Sequence, residues 1–348
     1  MFLSLIIYIF ILGIIILVHE FGHFICAKKS GVHIYEFSIG MGPVIFTHKG
    51  KDNINYNIRA LPIGGFVQMA GEVYEDDKKI PKEKFMCNKK THQRLAILVA
   101  GVFNNFVLAL VLLFLFGLIW GPKSNIAKII EVEPGSAASQ AGIQKDDVIT
   151  AINDHHFSSW DVGQIYIYYK NPSNVYTFEV KSSDGSTKKL DLVPKKVTEK
   201  GVERPVFGIK IDTSAKKGVI ESLKFAFRKF YDVICSMTVT LKGLFTGQIS
   251  LSNLSGPVGI YSVVDESRKS GLAQLIYITA FLSINVGFIN ILPFPAFDGG
   301  HVAFLIIEKI KGSKINEKFE STVNLVGFAI LMLLMIIITF KDIFRLFH

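Results

Sequence analysis

The chain has little cysteine, little tryptophan and little charge. Its three cysteines among 348 residues, Cys26, Cys87 and Cys235, are too few and too scattered for a disulfide framework or a thiolate metal site. Charged residues make up 19% against 50% hydrophobic, and the mean hydropathy is +0.39, which excludes an ordinary soluble domain. No basic tract carries interleaved aromatics, so the net charge of +9 reads as membrane-flanking charge and excludes a nucleic-acid partner. Tandem repeats and low-complexity tracts are absent as well.

What the chain has is long uncharged runs. Met1 to Val18, Leu95 to Trp120, Gly271 to Phe297 and Ser321 to Phe340 each reach the roughly 18 residues needed to cross about 30 Å of hydrocarbon. The first reads as a retained helix, because no basic residue precedes Lys28 and no small-x-small cleavage site follows. The expected order is a transmembrane helix over 1–26, a cytoplasmic or re-entrant β region over 27–94, and a second helix over 95–120. A small domain over 122–196 follows, then a linker over 197–270, a third helix over 271–310 and a fourth over 321–341.

The segment 27–94 carries 12 Lys and Arg, and the short 308–320 loop carries four lysines against three acids. The positive-inside rule makes both cytoplasmic and sends 121–270 and both termini to the other side. The 20 basic residues of 121–270 weigh less, since long translocated segments largely escape the rule.

Within the long loop, Glu133-Pro134-Gly135, Asn153-Asp154 and Ser183-Asp184-Gly185 are turn signals separating short strands, and Ser136 to Gly142 reads as a short helix closed by glycine. Its stretch EPGSAASQAGIQKDDVITAIND resembles a PDZ domain, a module that binds extended peptides by strand addition. Leu223, Phe227, Phe230, Ile234, Met237, Leu241 and Leu244 recur at spacings of four and three, predicting an amphipathic helix that lies in the membrane interface or packs on its own protein.

The chemistry starts where the first span ends, at His19-Glu20-Phe21-Gly22-His23. Four residues apart on a helix, both imidazoles face one Zn²⁺ with Glu20 beside a water. Three ionisable residues within five positions at membrane depth call for a functional reason, the alternative being a polar helix end snorkelling to the interface. A catalytic zinc needs a third protein ligand. Asp298, after the helix-breaking Pro293 and Pro295, is one candidate, and His301 is a rival.

The pair of motifs, H-E-x-x-H with N-x-x-P-x-P-x-x-D-G at Asn290 to Gly299, resembles the site-2 protease family of intramembrane zinc metalloproteases, bacterial RseP type. Matching stretches are Phe37 to Pro43, Ala60 to Glu72, Ala100 to Phe106 and Leu254 to Ile260. The resemblance implies zinc held by His19, His23 and Asp298, Glu20 as general base, Asn290 helping to hold substrate or the oxyanion, and His301 as a supporting residue. It further implies single-span membrane substrates such as anti-sigma factors and signal-peptide remnants, and the bacterial cytoplasmic membrane. One departure is that the RseP type carries tandem PDZ domains, whereas one fits here.

Alternation of Ile54, Tyr56 and Ile58 with polar residues predicts a β-hairpin in 27–94. A helical substrate must be held extended before water can reach a carbonyl, so an edge strand there, with Gly64 and Gly65 permitting close approach, is expected to bind it. Asn104 and Asn105 read as interhelical glue or as neighbours of the site. His155, His156 and Cys26 read as structural or exposed. The fold expected is a polytopic α-helical membrane protein with about four transmembrane helices, a membrane-associated β-hairpin and one extracytoplasmic PDZ-like α/β domain. A non-catalytic PDZ scaffold and a membrane di-iron oxygenase are the other functional readings.

Overall fold

The computed structural model describes residues 2–71, 79–171, 173–199, 202–214, 216–250 and 254–347. Met1, in the first expected span, and Glu72, at the end of the Ala60 to Glu72 match, lie outside the described residues. In chain order the elements are α1 (Phe2–Lys29), β1 (Ile34–Lys49), β2 (Asn55–Met69), α2 (Thr91–Trp120), β3 (Ile129–Val132), α3 (Ala137–Gln140), β4 (Val148–Ile152), β5 (His155–His156) and α4 (Trp160–Ile167). They continue with β6 (Tyr176–Lys181), β7 (Thr187–Leu192), β8 (Lys195–Glu199), β9 (Val202–Val206), β10 (Ile209–Ile211), α5 (Val219–Phe245), α6 (Pro257–Lys269), α7 (Leu272–Ile291), α8 (Asp298–Lys311) and α9 (Glu317–Phe347). Four helical stretches are long and apolar enough to cross a membrane: Phe2–Lys29, Thr91–Trp120, Leu272–Ile291 and Lys318–Phe344. The chain divides into two units, Met1–Leu112 with Ile260–Ile337, and Leu113–Gly259 with Ile338–His348.

In the first unit, α1 ends where Gly31 takes the left-handed conformation at φ 67°. Val32 N–H then bonds Ala27 C=O at 3.0 Å and Gly31 N–H bonds Lys28 C=O at 3.1 Å, a Schellman stop that turns the chain into β1. The sheet is more folded than a hairpin. Residues 36–39 of β1 pair on one side with Asn55–Ile58 and on the other with 65–68, while Phe46–Lys49 pair with the far side of 55–58. The apolar residues that close this layer against α1 and α2 include Phe24, Ala27, Ile34, Phe37, Ile54, Val67 and Ile97. A second core joins α1, α6 and α7 through Ile11, Ile15, Val264, Ile278 and Leu282.

The expected third helix over 271–310 is broken in two. α7 stops at Ile291, Pro293 and Pro295 occupy the connection, and Ala296 adopts φ 76°, a conformation L-residues rarely take. The connection folds so tightly over the start of α8 that a Cβ on Gly299 would lie 2.2 Å from the Ile291 carbonyl oxygen, and one on Gly300 2.4 Å from that of Phe294. Asp298 therefore starts a new helix instead of sitting within a continuous one.

The second unit has a core of Ile129, Ile143, Ile152, Phe178, Val180, Leu192 and Phe207. Its four-stranded sheet runs β5-β4-β6-β7, and β10 pairs with β3. Asn153 and Asp154, at φ 50° and 64°, make the two-residue turn between β4 and β5. Because β10 is needed to pair β3, the sheeted region continues past residue 196, the boundary expected from the sequence, and 197–270 holds strands and two helices as well as a linker. Helix α5 packs through Ser222, Phe225, Ala226, Asp232 and Val233, and leaves Ile220, Leu223, Phe227 and Tyr231 exposed.

Candidate metal centre

His19 and His23 leave the last turns of α1 on one face, and both are buried. Their Nε2 atoms lie 3.2 Å apart. Asp298 Oδ2, from the first turn of α8, lies 3.0 Å from His19 Nε2 and 3.4 Å from His23 Nε2. Among the described residues these three form the one group of at least three potential metal donors within reach of a single ion.

Helix α2 supports both imidazoles. His23 Nδ1 donates to the Ile97 carbonyl at 2.8 Å, which leaves its Nε2 lone pair directed at the cluster. Asn105, fully buried, places Nδ2 3.3 Å from His19 Nδ1. Between them, a Cβ on Gly101 would lie 2.3 Å from His23 Nε2 and 2.8 Å from His19 Nε2, so only glycine fits. The helices meet this closely because Gly22 is also bare: its Cβ would lie 2.3 Å from the Ala100 carbonyl oxygen. Glu20 is half-buried beside the pair, and its carboxylate accepts the Val67 N–H of β2.

The donor set suits zinc. Asp298 Oδ2 is buried without a hydrogen-bond partner, and a carboxylate oxygen in that state calls for a cation. Separations of 3.0, 3.2 and 3.4 Å approximate the ~3.3 Å edge of a tetrahedron with bonds of about 2.0–2.1 Å. Two imidazoles with one carboxylate, leaving a fourth position open, is a catalytic zinc pattern.

Other residues singled out in the sequence fall elsewhere. His301 faces α9, with Nδ1 3.0 Å from Glu320 Oε1, and is not in the cluster. Asn290 is half-buried at the end of α7, and among the described residues no hydrogen bond joins it to the cluster. Ile54 is buried in the sheet core, Tyr56 bonds Asp52 at 3.0 Å and packs on Phe24, and Ile58 is exposed. The expected substrate-binding edge at Ile54, Tyr56 and Ile58 is thus corrected, because 55–58 is already paired on both sides. Gly64, at φ 78°, and Gly65, whose Cβ would lie 2.7 Å from Ser38 O, belong to the strand that runs on to Val67, whose N–H bonds the Glu20 carboxylate of α1. Sequence reasoning missed Gly101 and the Ile97 carbonyl; the small pair Ala100-Gly101 was the available signal.

Residues 7–334 match the model of peptidase family M50. The chain belongs to that family. The regulator of sigma-W protease RasP of Bacillus subtilis is 32% identical, with 99% of each chain covered. The zinc metalloprotease RasP of Oceanobacillus iheyensis is 30% identical with 98% of each covered, and the probable protease eep of Enterococcus faecalis 30% identical with 99% of each covered. This M50 peptidase is accordingly a zinc metalloprotease of the site-2 protease class and a membrane protein, with zinc as its cofactor. The scaffold and di-iron readings give way to it.

Proposed function

We propose that this M50 peptidase cuts single-span membrane proteins within or near their transmembrane segments, at a zinc held by His19, His23 and Asp298. The observation that carries the reading is the convergence of the three donor atoms, from helices far apart in sequence, around an oxygen that lacks a hydrogen-bond partner. Zinc, when bound, supplies Lewis acidity toward water and the scissile carbonyl. Glu20 takes the proton of the attacking water on its carboxylate and passes it to the leaving amine nitrogen. The Val67 N–H bond keeps that carboxylate oriented. Asn290 holds the substrate chain or the developing oxyanion.

The substrate is held as an added strand. Its partner is the 65–69 stretch of β2, which lies beside Glu20 and takes over the role expected of Ile54, Tyr56 and Ile58. Gly64 and Gly65 let the backbones approach. The sheet around β4 and β6 acts as a single PDZ-like domain that binds peptides and admits the substrate. The exposed face of α5, Ile220, Leu223, Phe227 and Tyr231 with Lys224 and Arg228 close by, rests in the lipid interface. The segments 27–94 and 308–320 are cytoplasmic, and 121–270 and both termini are extracytoplasmic, in a bacterial cytoplasmic membrane. A relative's name, regulator of sigma-W protease, favours membrane-anchored anti-sigma factors among the substrates, alongside signal-peptide remnants.

The test is co-expression with a model single-span substrate, comparing wild type with Glu20→Gln and Asp298→Ala and assaying zinc in the same purified samples. Cleavage within the span should vanish in both variants while Glu20→Gln retains its zinc. Cleavage that survives Glu20→Gln would remove Glu20 as base, and zinc retained in full by Asp298→Ala would remove Asp298 as ligand.

A further inference from the structure

The two histidines are anchored unequally. Each must carry its proton on Nδ1 if Nε2 is to offer a lone pair to a metal, and an Nδ1–H buried in protein needs an acceptor. His23 has one, the Ile97 carbonyl at 2.8 Å. His19 Nδ1 instead faces the Asn105 amide nitrogen at 3.3 Å, a donor opposite the position that must donate. The same amide holds an unused acceptor, since Asn105 Oδ1 is buried without a hydrogen-bond partner. Asn105 itself is fully buried, and its backbone carbonyl accepts the Ser283 hydroxyl of α7 at 2.8 Å, which fixes the position of its Cα.

Half a turn of the amide about its Cβ–Cγ bond changes neither its size nor its shape. It brings Oδ1 to the place of Nδ2, opposite His19 Nδ1. Ile97, Gly101 and Asn105 then form one stripe of α2 at successive spacings of four: an acceptor for His23, a bare backbone where the imidazoles sit, and an acceptor for His19. The neighbouring Asn104 does something else, donating to the Val18 carbonyl at 3.2 Å and tying α2 to α1.

We infer that Asn105 is a positioning residue of the zinc centre, accepting the Nδ1–H of His19 through Oδ1 and so holding Nε2 free for the metal. The inference rests on the reading of His19 as a zinc ligand. It predicts that acceptor capacity at position 105 governs zinc affinity, whatever the substrate.

The experiment measures zinc affinity of the purified full chain in detergent by competition with a chromophoric chelator, with thermal melting of the metal-free protein alongside. Asn105→Leu and the smaller Asn105→Ala should bind zinc roughly 10–100-fold more weakly, the usual effect of losing an outer partner of a ligating histidine. Asn105→Asp, which accepts but cannot donate, should remain close to wild type. A merely structural asparagine would show instead as lowered melting with unchanged affinity in Asn105→Ala. Wild-type affinity in Asn105→Ala, or an Asn105→Asp as weak as Asn105→Ala, overturns the inference, the latter because it would make the amide N–H the working group. His19→Ala separates the two levels: if that protein binds zinc like wild type, the ligand assignment fails first, whereas its loss of zinc beside an unaffected Asn105→Ala defeats the positioning role alone.

Discussion

Two carboxylates far apart in the sequence, Asp232 and the half-buried Asp298 with its buried Oδ2, are treated oppositely. Asp232, in the middle of α5, is bonded by the Asn125 amide and the Ser159 hydroxyl, with the Lys229 cation nearby on the same helix. Asp298, at the start of α8, has one oxygen without a hydrogen-bond partner, turned toward two imidazole nitrogens. Burial penalises an unsatisfied ionised group far more than a satisfied one. The first carboxylate is thus complete as protein, whereas the second is complete only with a cation. A buried acid points to chemistry when its bonding is unfinished, and burial alone is no guide.

Four substitutions would break or sharpen this contrast. The largest effect is expected for Asp298→Asn, which keeps the shape and removes the charge. Zinc content measured by plasma emission should fall toward zero, with affinity reduced beyond the ~10–100-fold that an outer partner is worth. Next comes Gly101→Ala, whose methyl would enter the space of both imidazoles. Zinc affinity should drop by about tenfold or more, and an unchanged titration would show that α2 can move aside.

A third carboxylate, Asp342, lies between the two cases in size of effect. Its Oδ2 accepts the Gly256 and Gly259 N–H groups at 2.8 and 2.9 Å, capping the start of α6 in the second unit. Asp342→Ala should destabilise by about 1–3 kcal/mol in denaturant titration while zinc binding stays at the wild-type level. The smallest effect belongs to Asp232→Asn. Burial, as the leading cause, raises the Asp232 pKa, so the folded state holds its proton to higher pH than the unfolded state does. The contribution of this one group to stability is therefore greatest below the ordinary carboxylate range and declines as pH rises through the elevated folded value. The asparagine variant should flatten that decline and change neutral-pH stability by no more than about 1 kcal/mol; a melting profile that keeps its slope would show that another group titrates there.

What the sequence disclosed follows how local each feature is. His19 and His23 are legible because helical spacing alone puts them on one face, and Glu20 because it adjoins His19 in the same H-E-x-x-H motif. Asp298 needed the proline-broken motif as well, and its new helix, instead of a bend in one span, followed from the Gly299 and Gly300 contacts that no pattern displays. Asn105 could not be told from Asn104, since only the close approach at Gly22 and Ala100 decides which amide meets an imidazole. Alternation revealed strands at Ile54 to Ile58 but not their pairing on both sides. β10 is three residues long and pairs far back in the chain, so the boundary at 196 had no local marker.

The placement of the donors also sets an order in biosynthesis. His19 and His23 are made and inserted early, while Asp298 is translated about 275 residues later. At ~5–20 residues per second that interval is tens of seconds. During it, the nascent chain carries only two of the three donors of the proposed centre. Metal loading is then a late event, and the ribosome finishes nearly the whole protein before any hydrolytic activity can reach its membrane neighbours.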